Sequence, residues 1–121
     1  MVLAAIPEGV TIRSVYELVE VRLGLRLDFK VSAARAIGTA SEIIATNNPG
    51  RTNLTIVNLS SNTLYVSPLN AASSTNGILL GAAGGSLALN YNDDLLLPAL
   101  EWHAIASGSS SAVFVLEAFL I

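Results

Sequence analysis

The chain has 121 residues, 52% of them apolar and only 12% charged, with a formal net charge of −3. That is one domain's worth of chain with about half the usual charged share, which excludes a second core, a disordered linker and a global positive field for nucleic acid. No apolar run approaches the ~18 residues of a membrane-spanning helix, and zero cysteines with a single His remove disulfides, thiolate chemistry and most His-based catalysis or metal binding.

Met1 to Ile6 is apolar, but Pro7, Glu8 and Gly9 interrupt it and no basic segment precedes it, so no signal peptide is expected. Residues 11–18 predict a short helix or turn: Ile12, Val15, Tyr16 and Val19 fall at helical spacing, and Ser14-x-x-Glu17 reads as a capping box. From residue 19 to 31 the pattern has period two. Val19, Val21, Leu23, Leu25, Leu27, Phe29 and Val31 alternate with Glu20, Arg22, Gly24, Arg26, Asp28 and Lys30, which predicts a strand. Thirteen extended residues would span roughly 43 Å, so this strand bends at Gly24, splits, or pairs outside its own domain. Residues 36–46 predict a further strand, and Asn47-Asn48-Pro49-Gly50 a type II turn.

Residues 51–59 predict a strand in which Leu54, Ile56, Val57 and Leu59 imply burial on both faces. Shorter strands follow at residues 63–67, 77–80 and 86–91, with turns at 60–62 and 81–85 and a polar loop at 68–76. Residues 100–106 and 112–121 read as a final hairpin around a Ser/Gly turn. Strands at this spacing predict an all-β chain with a single β-sandwich, jelly-roll-like or a small barrel. The expected division is 1–35 as an N-terminal β-arm or hairpin, open to exchange with a neighbour, and 36–121 as the sandwich. The apolar end, Ala118 to Ile121, requires a central strand or an edge covered by another chain.

Charge is segregated along the chain. All six basic residues lie within the first 51 positions, where five acids leave a net +1, and the rest carries four acids and no cation. An acidic face meeting the basic segment of a neighbouring copy is one reading, and a neutral Ser/Asn/Thr-solvated domain is the other.

No catalytic, cofactor or metal site emerges. His103 lacks a Gly-x-Ser-x-Gly nucleophile turn and reads as structural. Asn92-Asp93-Asp94 lacks the remaining ligands of a calcium loop. Gly81 to Gly85 lacks the Lys-Ser/Thr of a phosphate loop and reads as a turn. Glu20 and Asp28, taken as extended, stand roughly 26 Å apart and cannot flank one glycosidic bond. A glycan platform would group Trp102 with Tyr65 or Tyr91, although core or interface filling is the commoner role of such residues.

The segments RTNLTIVNLSSNTLYVSP, STNGILLGAAGGSLAL and LPALEWHAIASGSSSAVFVLE together resemble the small β-sandwich accessory proteins of tailed-bacteriophage particles, such as capsid cement (decoration) proteins. The resemblance covers a little over half the chain and rests on the style of its turns and strands. It implies a virion protein made in the host cytoplasm, with no enzymatic activity and no cofactor, bridging major capsid (coat) proteins and forming a trimer or dimer of itself. Net charge and the lack of a long apolar run argue against a nucleic-acid or membrane partner. A head–tail connector, tail or fibre-base component is the alternative within assembly, and a glycan- or receptor-binding module the alternative outside it. Under this reading Leu23, Leu25, Leu27 and Phe29 are the candidate buried face of the arm. Arg22, Arg26 and Lys30 would pair with an acidic patch, and Trp102, Phe119 and Ile121 complete the candidate interface.

Overall fold

Two residues decide the first element. In the computed structural model, which describes residues 11–32 and 35–121, the Ser14 hydroxyl accepts the Glu17 N–H at 3.2 Å and Gly24 takes φ +68°, its N–H donating to the Glu20 carbonyl. A side-chain cap at one end and a left-handed glycine at the other define a helix, and Val15–Leu23 forms α1. The strand expected over residues 19–31 is therefore corrected for its first part: residues 19–23 are helical, because capping at both ends overrides a period-two pattern. Glu17 also reaches back to accept the Arg13 N–H at 2.9 Å, completing the box one residue early. Expectations for the apolar residues 1–6 lie outside the described residues.

Among the described residues nine strands follow, all paired antiparallel. They are β1 (Leu27–Val31), β2 (Arg35–Ile37), β3 (Glu42–Ala45), β4 (Arg51–Asn58), β5 (Leu64–Pro68), β6 (Ile78–Leu80), β7 (Ser86–Asn90), β8 (Trp102–Ala106) and β9 (Ser111–Leu120). One sheet runs β1-β9-β4-β7, with β2 sharing the β1 edge of β9; the other runs β3-β8-β5-β6. The two form a β-sandwich. From β2 onward the chain changes sheet at every connection except β5–β6, which is jelly-roll connectivity. Short helical turns, α2 (Tyr91–Asp94) and a 3-10 turn (Leu97–Ala99), link β7 to β8.

Three expectations change here. The single strand over residues 36–46 is two, β2 and β3, in different sheets. The final pair is no hairpin: β8 and β9 lie in opposite sheets, so the Ser/Gly turn arches between layers. The turn before β4 is closed by the Arg51 N–H onto the Asn48 carbonyl at 2.9 Å, but Gly50 lacks the positive φ of type II. The Asn48 side chain accepts the Gly50 N–H instead, at 3.0 Å. The apolar end resolves as a central strand, β9 lying between β1 and β4. The segment 27–31, assigned above to the arm, pairs within the chain along that strand, Leu27 opposite Leu120 and Val31 opposite Leu116.

The core fills the gap between the sheets. Leu54 and Ile56 of β4 and Val113 and Val115 of β9 meet Leu64, Val66, Trp102 and Ala104 of the other sheet. Trp102 is 1% exposed, and its indole N–H donates to the Leu97 carbonyl at 2.8 Å. Its expected place at an interface is thus corrected: it faces inward with Ala104 and Ala106, and its one polar atom is satisfied inside. At the open edge Arg35 holds the sheets together, pairing with Glu42 at 3.2 Å and donating to the Ile43 and Ile44 carbonyls of β3.

The β6–β7 connection depends on one close approach. A Cβ at Gly85 would overlap the backbone N and O of Gly81 and lie 2.8 Å from the Leu80 carbonyl carbon. Gly85→Ala should therefore destabilise the chain by about 1–3 kcal/mol. Circular dichroism melting should show a midpoint lower by roughly 5–15 °C, and an unchanged midpoint would mean that the turn relaxes freely.

Candidate assembly surface

Side chains directly opposite one another in antiparallel strands share a face. The register therefore gives the outer face of the β1-β9-β4-β7 sheet row by row. One row is Val31, Leu116, Thr55 and Ala88; the next is Phe29, Ala118, Asn53 and Asn90. Phe114, Val57 and Ser86 form a third, and Leu27 with Leu120 a fourth. No row carries a charged side chain. Phe29 and Val31 are 60% and 58% exposed. Lys30 and Asp28 point the other way, Lys30 in register with Glu117 along the inner side of the sheet. A sandwich sheet that ends in water normally alternates apolar-in with polar-out; here the outer positions of β1 and β9 are apolar too.

α1 is the second uncovered element. It buries none of its residues, and Val15 and Tyr16 are 72% and 80% exposed. At 100° per residue, Val15, Tyr16, Val19 and Leu23 fall on one stripe of the helix. Gly24, Leu25 and Arg26 tether it to the Leu27 end of β1, where Arg26 pairs with Glu20 at 3.4 Å on the surface. Among the described residues, the side chains of Arg13 and Arg22 have no acidic partner within 4 Å.

The structure scatters the sequence-predicted interface residues over several elements. Arg22 and Leu23 sit in the last turn of α1, Leu25 and Arg26 in the tether, and Leu27, Phe29 and Lys30 on β1. Of these, Leu27 and Phe29 belong to the uncharged face, while Lys30 lines the cleft between the sheets with Arg35 and Glu117. Phe119 is half-buried opposite Asp28, and Ile121 is 71% exposed at the end of β9. Val31, Val57, Phe114 and Leu116 were missed. For Val57, Phe114 and Leu116 the signal is the two-sided apolar pattern of β4 and β9: Val57 and Leu59, expected to be buried, are half-buried and 58% exposed.

The remaining candidates form no reactive group. His103 Nε2 lies 2.7 Å from Glu101 Oε1, and Ser67 is its cross-strand neighbour. The Ser67 hydroxyl is directed to the Pro68 carbonyl at 3.5 Å, with no hydrogen bond to the imidazole. Glu20 is helical, so the extended spacing assumed between it and Asp28 does not hold. Asn90 caps α2, accepting the Asp93 N–H at 2.9 Å. Among the described residues no group of three or more His, Asp or Glu is placed to hold a metal ion, and no helix is long and apolar enough to cross a membrane. The aromatics expected on a glycan platform do not come together, since Trp102 is interior. The cleft of about 190 Å³ beneath Lys30 includes Glu117 in its wall.

No protein-family model matches the sequence, and no curated protein does. Among solved structures, the chain is similar to one from the Bacillus endospore appendages, described as a novel family of disulfide-linked pili, at 10% identity and a TM-score of 0.47. The match covers 80% of this chain and 88% of that one.

Proposed function

We propose that this chain is a structural subunit that works by burying surface against neighbouring protein subunits, and that its assembly is a virion. In this reading it is a capsid cement protein, made in the host cytoplasm, that bridges coat proteins on the particle surface and carries no catalytic activity. The uncharged outer face of the β1-β9-β4-β7 sheet is the observation that supports it. Four strands at ~4.8 Å spacing and up to ten residues at ~3.3 Å each give a footprint of roughly 500 Å². A patch of that size on a monomer is commonly functional. Closing it against an equal surface would remove roughly 1,000 Å², at the lower end for a specific interface. The gross gain would be up to about 25 kcal/mol before the costs of association.

Light scattering on the purified chain over a range of concentrations tests the reading. A discrete dimer or trimer is expected. A closed ring of many copies would move the assignment to a connector, tail or fibre-base component. A monomer at every concentration would overturn self-association. Antibody labelling of particles in electron micrographs tests the location: label over the head shell is expected, and label confined to the head–tail junction or fibres would overturn the cement assignment.

A further inference from the structure

The edge of the exposed sheet is a poor place for a partner. Ser32 N–H donates to the Val115 carbonyl at 3.0 Å and Ile121 N–H to the Arg26 carbonyl at 3.1 Å. That phase turns the backbone groups of Arg26, Asp28, Lys30 and Ser32 toward β9 and those of Leu27, Phe29 and Val31 outward. The middle outward donor, Phe29 N–H, is already taken by Asp28 Oδ1 at 2.8 Å. A strand added at this edge would have to displace that bond, so the edge is blunted. The face above it is not.

We propose that this outer face receives α1 of a second copy of the chain. The proposal rests on the structural-subunit reading above and names the chain itself as the partner.

Helix and face each lack what the other supplies. A nine-residue helix is marginal in water on its own and depends on tertiary packing of its apolar stripe. α1 is capped at both ends yet has no fully buried residue: Val19 and Leu23 of its stripe are half-buried, and the stripe ends in Val15 and Tyr16 in solvent. Nine residues at ~1.5 Å make a rod of about 14 Å, which fits the roughly 14 Å between the outer strands of a four-stranded face. Phe29, Val31, Leu116 and Val57 would form its floor.

The rim supplies the charge. α2 directly follows β7, the far edge of the face, and carries Asp93 and Asp94. From Thr52 to the end the chain contains no cation to neutralise them. Arg13 and Arg22 flank the helix stripe without acidic partners among the described residues. Opposite charge at the rim adds orientation and speeds encounter more than it adds affinity. Helix on face is a heterologous contact, so it closes a pair by exchange or continues around a ring.

The absence of cysteine makes the test clean. Tyr16→Cys and Leu116→Cys are prepared as separate full-length chains, mixed in equal amounts and mildly oxidised. The expected result is a band at twice the 12.6 kDa chain mass, several-fold stronger than from either variant alone and than from a mixture of Tyr16→Cys with Ser74→Cys. A stronger band from Leu116→Cys alone would mean face on face, and one from Tyr16→Cys alone helix on helix; either overturns the proposal. So does a mixture no better than the Ser74→Cys control. The mass of the unsubstituted chain separates the two claims. An oligomer without the mixed crosslink overturns only the helix-on-face contact, whereas a monomer overturns self-association as well.

Discussion

Arg51→Met should lower stability by about 3–5 kcal/mol, the cost of breaking a buried ion pair from one side. The Arg51 side chain is 2% exposed, yet every nitrogen of its guanidinium is used. Nε meets Glu117 Oε1 at 2.6 Å, Nη1 donates to the Pro98 and Leu100 carbonyls at 3.2 and 3.3 Å, and Nη2 donates to the Thr46 carbonyl at 2.8 Å. One side chain thus ties β4 to β9, to the turn before β8 and to the loop after β3. Methionine would fill much the same space but leave a nearly buried carboxylate and three carbonyls without their donor. Urea denaturation should show the midpoint falling by roughly 2 M. Removing the orphaned charge as well, in Arg51→Met/Glu117→Gln, should recover part of the loss, because the double variant no longer strands a carboxylate. A single variant within ~1 kcal/mol of the parent would show that the guanidinium contributes little, as many surface pairs do.

Much of the sandwich is legible in the chain. β4, β5, β7, β8 and β9 fall within a residue or two of where alternation and turn residues put them. That is because each is a strand with one face sealed by the other sheet, and burial on one face writes period two into the sequence. What is not written there is which strand each one faces. A short Ser/Gly linker has the same composition whether it closes a hairpin or arches between layers, so the 107–111 turn reads equally well both ways. The residues 19–31 show the converse failure. Their odd positions are all apolar, but in α1 those positions do not share one face, and the decisive marks are two single residues, Ser14 and Gly24. The proposed surface was half visible. Leu54, Ile56, Val57 and Leu59 announced apolarity on both sides of β4, yet the inner side could be identified only once the second sheet was in place.

That distinction carries functional weight. Trp102, the largest aromatic and the most tempting interface anchor, is consumed by the core, while smaller residues such as Val31, Val57 and Leu116 remain outside. A surface built from many modest side chains on a rigid sheet is suited to broad, repeated contact rather than to gripping a small ligand, whose pockets are concave and carry a few converging polar groups. In the proposed assembly, shape and area multiplied over copies would supply the binding.

Asn58→Asp should be nearly as damaging as losing Arg51, although it changes one atom. Asn58 is fully buried. Its Nδ2 donates to the Asn62, Leu80 and Gly81 carbonyls at 2.7, 3.0 and 3.2 Å, and its Oδ1 accepts from the Ser60 N–H and hydroxyl at 3.0 and 2.7 Å. Its main chain joins the same loops, donating to the Gly85 carbonyl and accepting from Gly84 N–H, both at 2.8 Å. The residue therefore fastens the end of β4 to the β4–β5 turn and to the β6–β7 connection, across both sheets. A carboxylate in its place would aim negative charge at three carbonyl oxygens, with no cation among its hydrogen-bond partners, at a cost of about 3 kcal/mol or more. The sign of the pH dependence identifies the cause. Burial and the carbonyls favour the protonated carboxyl in the folded state, so the folded variant holds a proton that the unfolded chain releases sooner. Its stability should fall as pH rises through the carboxyl's folded-state titration and recover on acidification, where the new O–H donates to one of the carbonyls. Asn58→Leu, which loses the same donors without adding a charge, should show a deficit that hardly changes with pH relative to the parent. Equal pH profiles for the two variants would mean that the damage comes from lost hydrogen bonds and packing alone, with the buried charge contributing nothing.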